Sequence, residues 1–414
     1  MSAKPSSVTW PVRLLLLMVF AALTGAAPAR AADDFEAVVH DLRLELSPEA
    51  VGSLKQNPRA YVHARLEADG QRMADVAVHL KGATGSFQPL DDKPGLTVDF
   101  DRYVRGHEFF GMTKIHLNNS VEDPSYLCEV IAGDLFQIAG IPVARTGHAV
   151  VRLNGRRLGL YVLKEGFERS FLQRELRGMD GAVLEPERGQ DVDGLLHAHG
   201  DQAAPAPGKM LAELASAARE PDPAKRWARL SAVLDTDRFI RFMAVEVMIG
   251  HRDGYSLAKN NFRVLLPTET RRAVFLPQGL DQLFQVAELP WQPSVAGLVA
   301  QAALETPEGH QRYAQEFATL RPVLLQPTAL AARIDAVSTR LVAAVSWSEA
   351  AGLREEATLL KERIRQRAAA LERQLNTARS GSECIAALPL SPRSASVRPT
   401  VRDLPLEFAE HATH

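Results

Sequence analysis

The chain has 414 residues, 46% of them hydrophobic, 24% charged and 6% aromatic, with 48 Lys and Arg against 50 Asp and Glu and a formal net charge of −2. Ample apolar material and only two cysteines exclude a disordered chain, a collagen-like repeat and a disulfide scaffold; the balanced charge argues against nucleic acid as a partner, since bulk phosphate neutralisation needs a basic surplus. The length accommodates two or three domains, or one large one, and a small anionic ligand needs only a local site.

Residues 1–31 carry the parts of a secretory signal in order: Lys4 and Arg13, the apolar run 14–23, then small residues ending Ala29-Arg30-Ala31. Cleavage after Ala31 is expected. An uncleaved anchor is the competing reading, but the apolar run is shorter than the about 20 residues that a bilayer span requires. Losing Lys4, Arg13 and Arg30 takes the formal charge from −2 to −5. The mature chain is thus expected to be secreted or periplasmic, with no transmembrane anchor after signal cleavage. In an oxidising compartment Cys128 and Cys384 permit one disulfide. The run Tyr126-Leu127-Cys128-Glu129-Val130-Ile131 is the commoner setting of a small buried side chain.

From 35 to 117 apolar and polar residues alternate in short runs, as in 61–66 and 76–80 around the turn Ala68-Asp69-Gly70, which predicts a sheet. Helical spacing over 124–138 ends at Gly140 and Pro142. The runs 148–153 and 158–163 flank Asn154-Gly155, a strong hairpin cue, with Arg156 and Arg157 available to lengthen the loop. Residues 186–225, rich in Gly, Pro, Asp and Ala, read as a mobile insertion holding one helix and separating two lobes. Beyond Asp235 helices predominate, interrupted by a second hairpin from 261–266 and 273–276. An amphipathic helix is expected over 355–377, packed against the body, and the Ser/Pro-rich tail after Ser380 is expected to be disordered. The sequence therefore reads as α+β: a signal peptide 1–31, a β-rich N-terminal lobe 32–185, an insertion 186–225, a helical C-terminal catalytic lobe 226–380 and a tail 381–414.

Chemistry concentrates in His251-Arg252-Asp253-Gly254, Lys259-Asn260-Asn261-Phe262 and, after the second hairpin, Leu280-Asp281. Phosphoryl transfer of the kinase type needs a carboxylate near the attacking hydroxyl, with an amide oxygen and a second carboxylate to hold magnesium. A loop, a hairpin and a turn can bring Asp253, Asn260 or Asn261, and Asp281 together in those roles. Taken alone, His-Arg-Asp is equally a solvated loop. The interval from Asp253 to Asn260 exceeds that of eukaryotic protein kinases, and no Asp-Phe-Gly follows. Asp191, Asp193, His197, His199 and Asp201 could hold a metal, but no glutamate closes a calcium loop and a polar insertion explains them as well. No His-Glu-x-x-His or Gly-x-Ser-x-Gly supports a hydrolase.

The order of many modest motifs from Val76 to Phe284 resembles the CotH family of atypical secreted protein kinases. These motifs are Leu80-Lys81-Gly82-Ala83-Thr84-Gly85-Ser86, Lys93-Pro94, Phe110-Gly111, Leu117-Asn118-Asn119 and Asp123-Pro124-Ser125, then Gly140-Ile141-Pro142-Val143-Ala144-Arg145, Leu153-Asn154-Gly155 and Leu158-Gly159-Leu160-Tyr161 to Glu165, closed by the Asp253, Asn260-Asn261 and Asp281 segments. The resemblance implies a two-lobed kinase-like fold, ATP with Mg2+ or Mn2+, and a protein substrate with a Ser or Thr acceptor. Residues Gly82, Gly85 and Ser86 would belong to a loop over the phosphates, Lys93 or, second, Lys81 would contact them, and Glu129 would pair with that lysine. Glu165 would fall at the nucleotide hinge without a chemical role. Asp253 would be catalytic, and Asp281 with Asn260 or Asn261 would hold the metal. Two departures stand out. Gly279 replaces an Asp common in the family two residues before Asp281, and Val183-Leu184-Glu185-Pro186 replaces a Leu-Tyr-Lys segment. A kinase-like binding or envelope-assembly module without catalysis is the alternative.

Overall fold

The computed structural model describes residues 34–386 except 84, 177–180, 188, 195 and 199–204; the expected signal and its cleavage point, and the tail beyond 386, lie outside the described residues. In chain order the elements are α1 (Asp34–Ala37), β1 (Val39–Leu46), α2 (Pro48–Gln56), β2 (Val62–Ala68), β3 (Gln71–Lys81), β4 (Gly95–Asp99), β5 (Lys114–Asn118), α3 (Cys128–Ile138), β6 (Thr146–Leu153), β7 (Arg156–Glu165), α4 (Arg169–Glu175), β8 (Gly181–Pro186) and β9 (Leu196–Ala198). There follow α5 (Pro205–Ala218), α6 (Pro223–Val233), α7 (Thr236–Ile249), α8 (Tyr255–Ala258), β10 (Phe262–Pro267), β11 (Val274–Pro277), α9 (Leu298–Leu304), α10 (Pro307–Leu324), α11 (Pro327–Ala344) and α12 (Trp347–Ala386). The result is α+β, with a β-rich N-terminal region and a helical C-terminal part.

Alternating burial along β1 and β2 gives each strand one apolar face. Seven strands use those faces to close a barrel in the order β1-β2-β3-β4-β5-β7-β6, sealed by a parallel β1–β6 pair and otherwise antiparallel. Leu44, Leu66, Val78, Val98, Leu117 and Val151 are among the side chains of its core. The barrel departs from the expectation of a plain sheet over 35–117, because β6 and β7 complete it. Helix α2 also interrupts the stretch read as strands: Ser47 caps it, its Oγ accepting from Ala50 N at 3.2 Å, and Pro48 occupies the first turn.

The Asn154-Gly155 hairpin forms with both residues at positive φ, as a tight primed turn requires. Arg156 and Arg157 pair with Leu153 and Arg152, so they belong to β7 and not to a lengthened loop. The second hairpin is β10–β11, and it lies in a four-stranded sheet of order β11-β10-β8-β9. Described parts of 186–225 supply β9, α5 and the start of α6, more structure than the one helix expected there.

Beneath this sheet Phe239 and Phe242 of α7 meet Phe275, and Tyr255 packs against Phe262 and Phe275, giving a continuous aromatic layer. The chain divides into Met1–Leu371 and Glu372–His414, and the described part of the second unit continues α12 to Ala386. Cys128 is buried with a free thiol, and the side chain of Cys384 lies outside the described residues. Among the described residues no helix is long and apolar enough to cross a membrane.

Candidate functional site

Helix α3 begins where Asp123-Pro124-Ser125 stop the preceding loop. Asp123 Oδ2 accepts from Cys128 N at 2.9 Å and Ser125 Oγ accepts from Leu127 N at 3.1 Å, so two backbone donors at the helix start find acceptors. That start presents Glu129, which is 2% exposed. Its Oε2 accepts from Lys164 Nζ of β7 at 2.8 Å, and its Oε1 accepts from Leu280 N at 3.2 Å and from Asn118 Nδ2 of β5 at 3.4 Å. Asn118 Oδ1 in turn accepts from Lys81 Nζ at the end of β3. One carboxylate therefore ties two strands of the barrel to the turn that carries Asp281. A buried ion pair of this kind is held by its additional hydrogen bonds as much as by Coulomb attraction.

The partner of Glu129 is thus Lys164, not Lys93. Lys93 Nζ donates to Tyr126 Oη at 2.5 Å and lies 4.8 and 5.1 Å from the ring centroids of Tyr126 and Tyr161, a cation–π setting on the tyrosines. Lys164 escaped the sequence reading, although a lysine closing the apolar run Leu160-Tyr161-Val162-Leu163 signals a buried cation that needs a partner. Burial, then the neighbouring Lys164 charge, pushes Lys81 down to about 8 despite Glu129 and Asp281 nearby.

Asp253 lies in the loop between α7 and α8. Its Oδ2 accepts from Asn260 Nδ2 at 2.9 Å and from Asn261 Nδ2 at 2.8 Å, so the three residues read from sequence do converge. The backbone is strained here: Lys259 and Asn261 both sit at positive φ, 54° and 46°. Glu246, a fully buried carboxylate in the last turns of α7, anchors the loop by accepting from Tyr255 N and Ser256 N, each at 2.9 Å, and from Ser256 Oγ. It too was missed, though it stands alone in the apolar run 242–249.

Asp281 follows a turn fastened to that loop. His251 Nε2 donates to Gly279 O at 3.0 Å and Gln278 N to Asn261 O at 3.0 Å. A Cβ on Gly279 would stand 2.6 Å from Asn261 Cγ, and the residue has φ +57°, so the Asn261 amide occupies the space of a side chain at 279. Burial, then the carboxylates of Glu129 and Glu122, push Asp281 up to about 6. A desolvated carboxylate crowded by like charges fits a divalent cation, which relieves both penalties. With the Asn260 and Asn261 amide nitrogens committed to Asp253, their Oδ1 atoms are left as hard oxygen ligands. Among the described residues no group of three His, Cys, Asp or Glu side chains could hold a metal by itself.

Around the 82–87 loop, Asn119 Nδ2 donates to Ser86 O and to Lys93 O, both at 3.0 Å. The amides of Ala83, Ser86 and Phe87 are engaged within the loop itself, by Ser86 Oγ and Ala83 O. Gly82 has φ +116° and Gly85 φ +95°, with the Glu122 carboxylate against Gly85. Glu165 is fully buried and held by Arg145 and Arg174. Of the acidic and histidine cluster in the insertion, Asp191 accepts from Tyr255 Oη at 3.0 Å and Leu298 N at 2.7 Å, and Asp193 pairs with Arg219, which are structural roles. His199, Asp201 and the side chain of His197 lie outside the described residues.

Comparison with known proteins bears on this arrangement. No curated protein matches the chain. The profile of the CotH kinase protein family matches residues 78–371, a span that begins in β3, contains Lys81, Glu129, Lys164, Asp253 and Asp281, and ends in α12. The chain belongs to the CotH kinase family.

Proposed function

We propose that the protein is an exported protein kinase that moves the γ-phosphate of ATP to a Ser or Thr hydroxyl of a protein, working in the periplasm or outside the cell with Mg2+ or Mn2+. The observation that carries this reading is the Asp253 carboxylate held by the Asn260 and Asn261 amides beside the Asp281 turn, within a family of kinases. The kinase-like division into two lobes is part of the same proposal. Bound ATP and its metal would supply the transferable phosphoryl group and most of the charge neutralisation. The chain's own contribution begins with Asp253, whose second oxygen would accept the hydrogen bond of the acceptor hydroxyl and take its proton as the new oxygen–phosphorus bond forms and the bond from the γ-phosphorus to the bridging oxygen breaks, releasing ADP. Asp281 with Asn260 or Asn261 would hold the metal, and the Asn261 amide, which fills the space beside Gly279, would offer an oxygen in place of the Asp common in the family there. Lys81 and Lys164, ordered by Asn118 and Glu129, would supply positive charge toward the phosphate oxygens of a bound nucleotide.

A second reading, a binding or envelope-assembly module without phosphotransfer, is favoured by the 82–87 loop, where the amides of Ala83, Ser86 and Phe87 are turned inward on their own chain. Incorporation of labelled γ-phosphate by the purified mature chain separates the two. Autophosphorylation or transfer to a generic protein, reduced at least 100-fold in both Asp253→Ala and Asp281→Ala, supports the kinase. No transfer with either metal, together with no nucleotide-induced thermal shift, establishes the binding module instead.

A further inference from the structure

Arg367 of α12 is fully buried and forms no ion pair with a carboxylate among the described residues. Its guanidinium is satisfied by carbonyl oxygens alone. Nε donates to Met248 O at 3.1 Å and Nη2 to Val247 O at 2.7 Å, both in the last turn of α7. Nη1 donates to Ala287 O at 2.8 Å and Leu289 O at 2.5 Å, in the chain that follows Asp281. A buried cation with no carboxylate in contact is expensive unless its donors are fully used, and the Glu288 carboxylate adds only attraction from farther off. Here the helix-end carbonyls and their dipole supply the negative partial charge. The planar fork reaches both segments at once, which a lysine ammonium cannot do.

The two segments so joined are the ones that matter for the proposed chemistry. After Met248 the chain turns at Gly250 and presents Asp253; before Ala287 it presents Asp281. They touch at two further points, Phe284 N donating to Ile249 O at 2.8 Å and His251 Nε2 to Gly279 O. Arg367 closes the base of this frame.

We infer that Arg367 is a positioning residue, a clamp that sets the spacing of the Asp253 loop against the Asp281 turn and makes the C-terminal helix a working part of the phosphotransfer site. This rests on the kinase reading for its activity arm and on geometry alone for its exchange arm. The test compares Arg367→Lys with Leu360→Ala, a fully buried apolar position two turns earlier on the same helix. The clamp predicts that Arg367→Lys lowers kcat 10-fold or more and weakens Mn2+ activation, with KM for ATP changed less than 3-fold. It also predicts at least 10-fold faster amide exchange in both 251–261 and 279–289, while 39–165 is unchanged. Leu360→Ala, matched for loss of Tm, should do none of this. Guanidinium ion at millimolar concentration should restore part of the activity of Arg367→Ala. Equal behaviour of the lysine and Leu360 variants overturns the clamp and leaves Arg367 a core residue. Should the Arg367 variants fail to fold, native-state exchange of the wild type decides: the two segments and the α12 turn around 367 must open with one common free energy, and separate openings overturn the inference. A wild type without phosphotransfer sinks the kinase reading while the exchange arm still judges the clamp.

Discussion

At the scale of single residues the site is an exercise in charge placed where water is scarce. Asp281 stands at about 6 against an ordinary 3.8, and Lys81 at about 8 against 10.5, each pushed toward its neutral form by burial first. If both must be charged for phosphotransfer, the rate climbs as pH rises through about 6 and falls as it rises through about 8, a bell read from kcat/KM against pH. Added Mn2+ competes with the proton on Asp281 and should shift the acid limb lower. The same group bears on stability. A carboxyl whose folded value lies above its unfolded one weakens the fold as pH rises from about 4 through 6. Metal-free Asp281→Asn should therefore unfold a few degrees above wild type at pH 7.5, on the order of 2–3 kcal/mol, and alongside it at pH 4. Equal Tm at both pH values would refute the account of Asp281. The convergence of Asp253, Asn260 and Asn261 was legible because they are close in sequence and separated by short turns. The partner of Glu129 was not, because lysines at 81, 93 and 164 are equivalent as letters and only strand register tells them apart.

At the scale of elements, local chemistry explains the motifs that mark the family. Asp123-Pro124-Ser125 starts α3 and so aims Glu129; Asn118 joins Lys81 to that carboxylate; Asn119 ties Ser86, in the glycine loop, to Lys93 before β4. Gly279 belongs to this list for a steric reason. Gly279→Ala would drive a Cβ to 2.6 Å from Asn261 Cγ at a left-handed φ. We expect a loss of about 1–3 kcal/mol in denaturant unfolding and a larger loss of kcat than of ATP affinity, as Asn261 is forced off Asp253. Unchanged kcat in a folded Gly279→Ala protein would show that Asn261 has no part in the chemistry. Helix stops, the Asn154-Gly155 turn and the β10–β11 hairpin followed from propensity and periodicity. Helix α2 was readable from Ser47-Pro48 but was hidden by the strand pattern around it.

For the whole molecule, two devices bring distant chain together. The first is closure of the barrel, where β1 pairs in parallel with β6 and β5 with β7. The second is the aromatic layer in which Phe275 meets Phe239, Phe242, Tyr255 and Phe262 directly under the Asp253 loop. Truncating Phe275 to Ala should cost about 3–5 kcal/mol by denaturant unfolding and loosen the loop above it; a cost below 1 kcal/mol would mean that the layer can collapse around the gap. What the sequence by itself determined is the type and order of most elements, the α+β class, the family and the stations of Asp253, Asn260, Asn261 and Asp281, because each depends on periodicity, turn residues or motif order within a short stretch of chain. Tertiary structure alone decided that Lys164 and not Lys93 meets Glu129, that the strands close into a barrel, that Asn261 fills the space beside Gly279 and that Arg367 spans two loops. Those outcomes depend on register and packing between residues far apart in the chain, which no local pattern encodes.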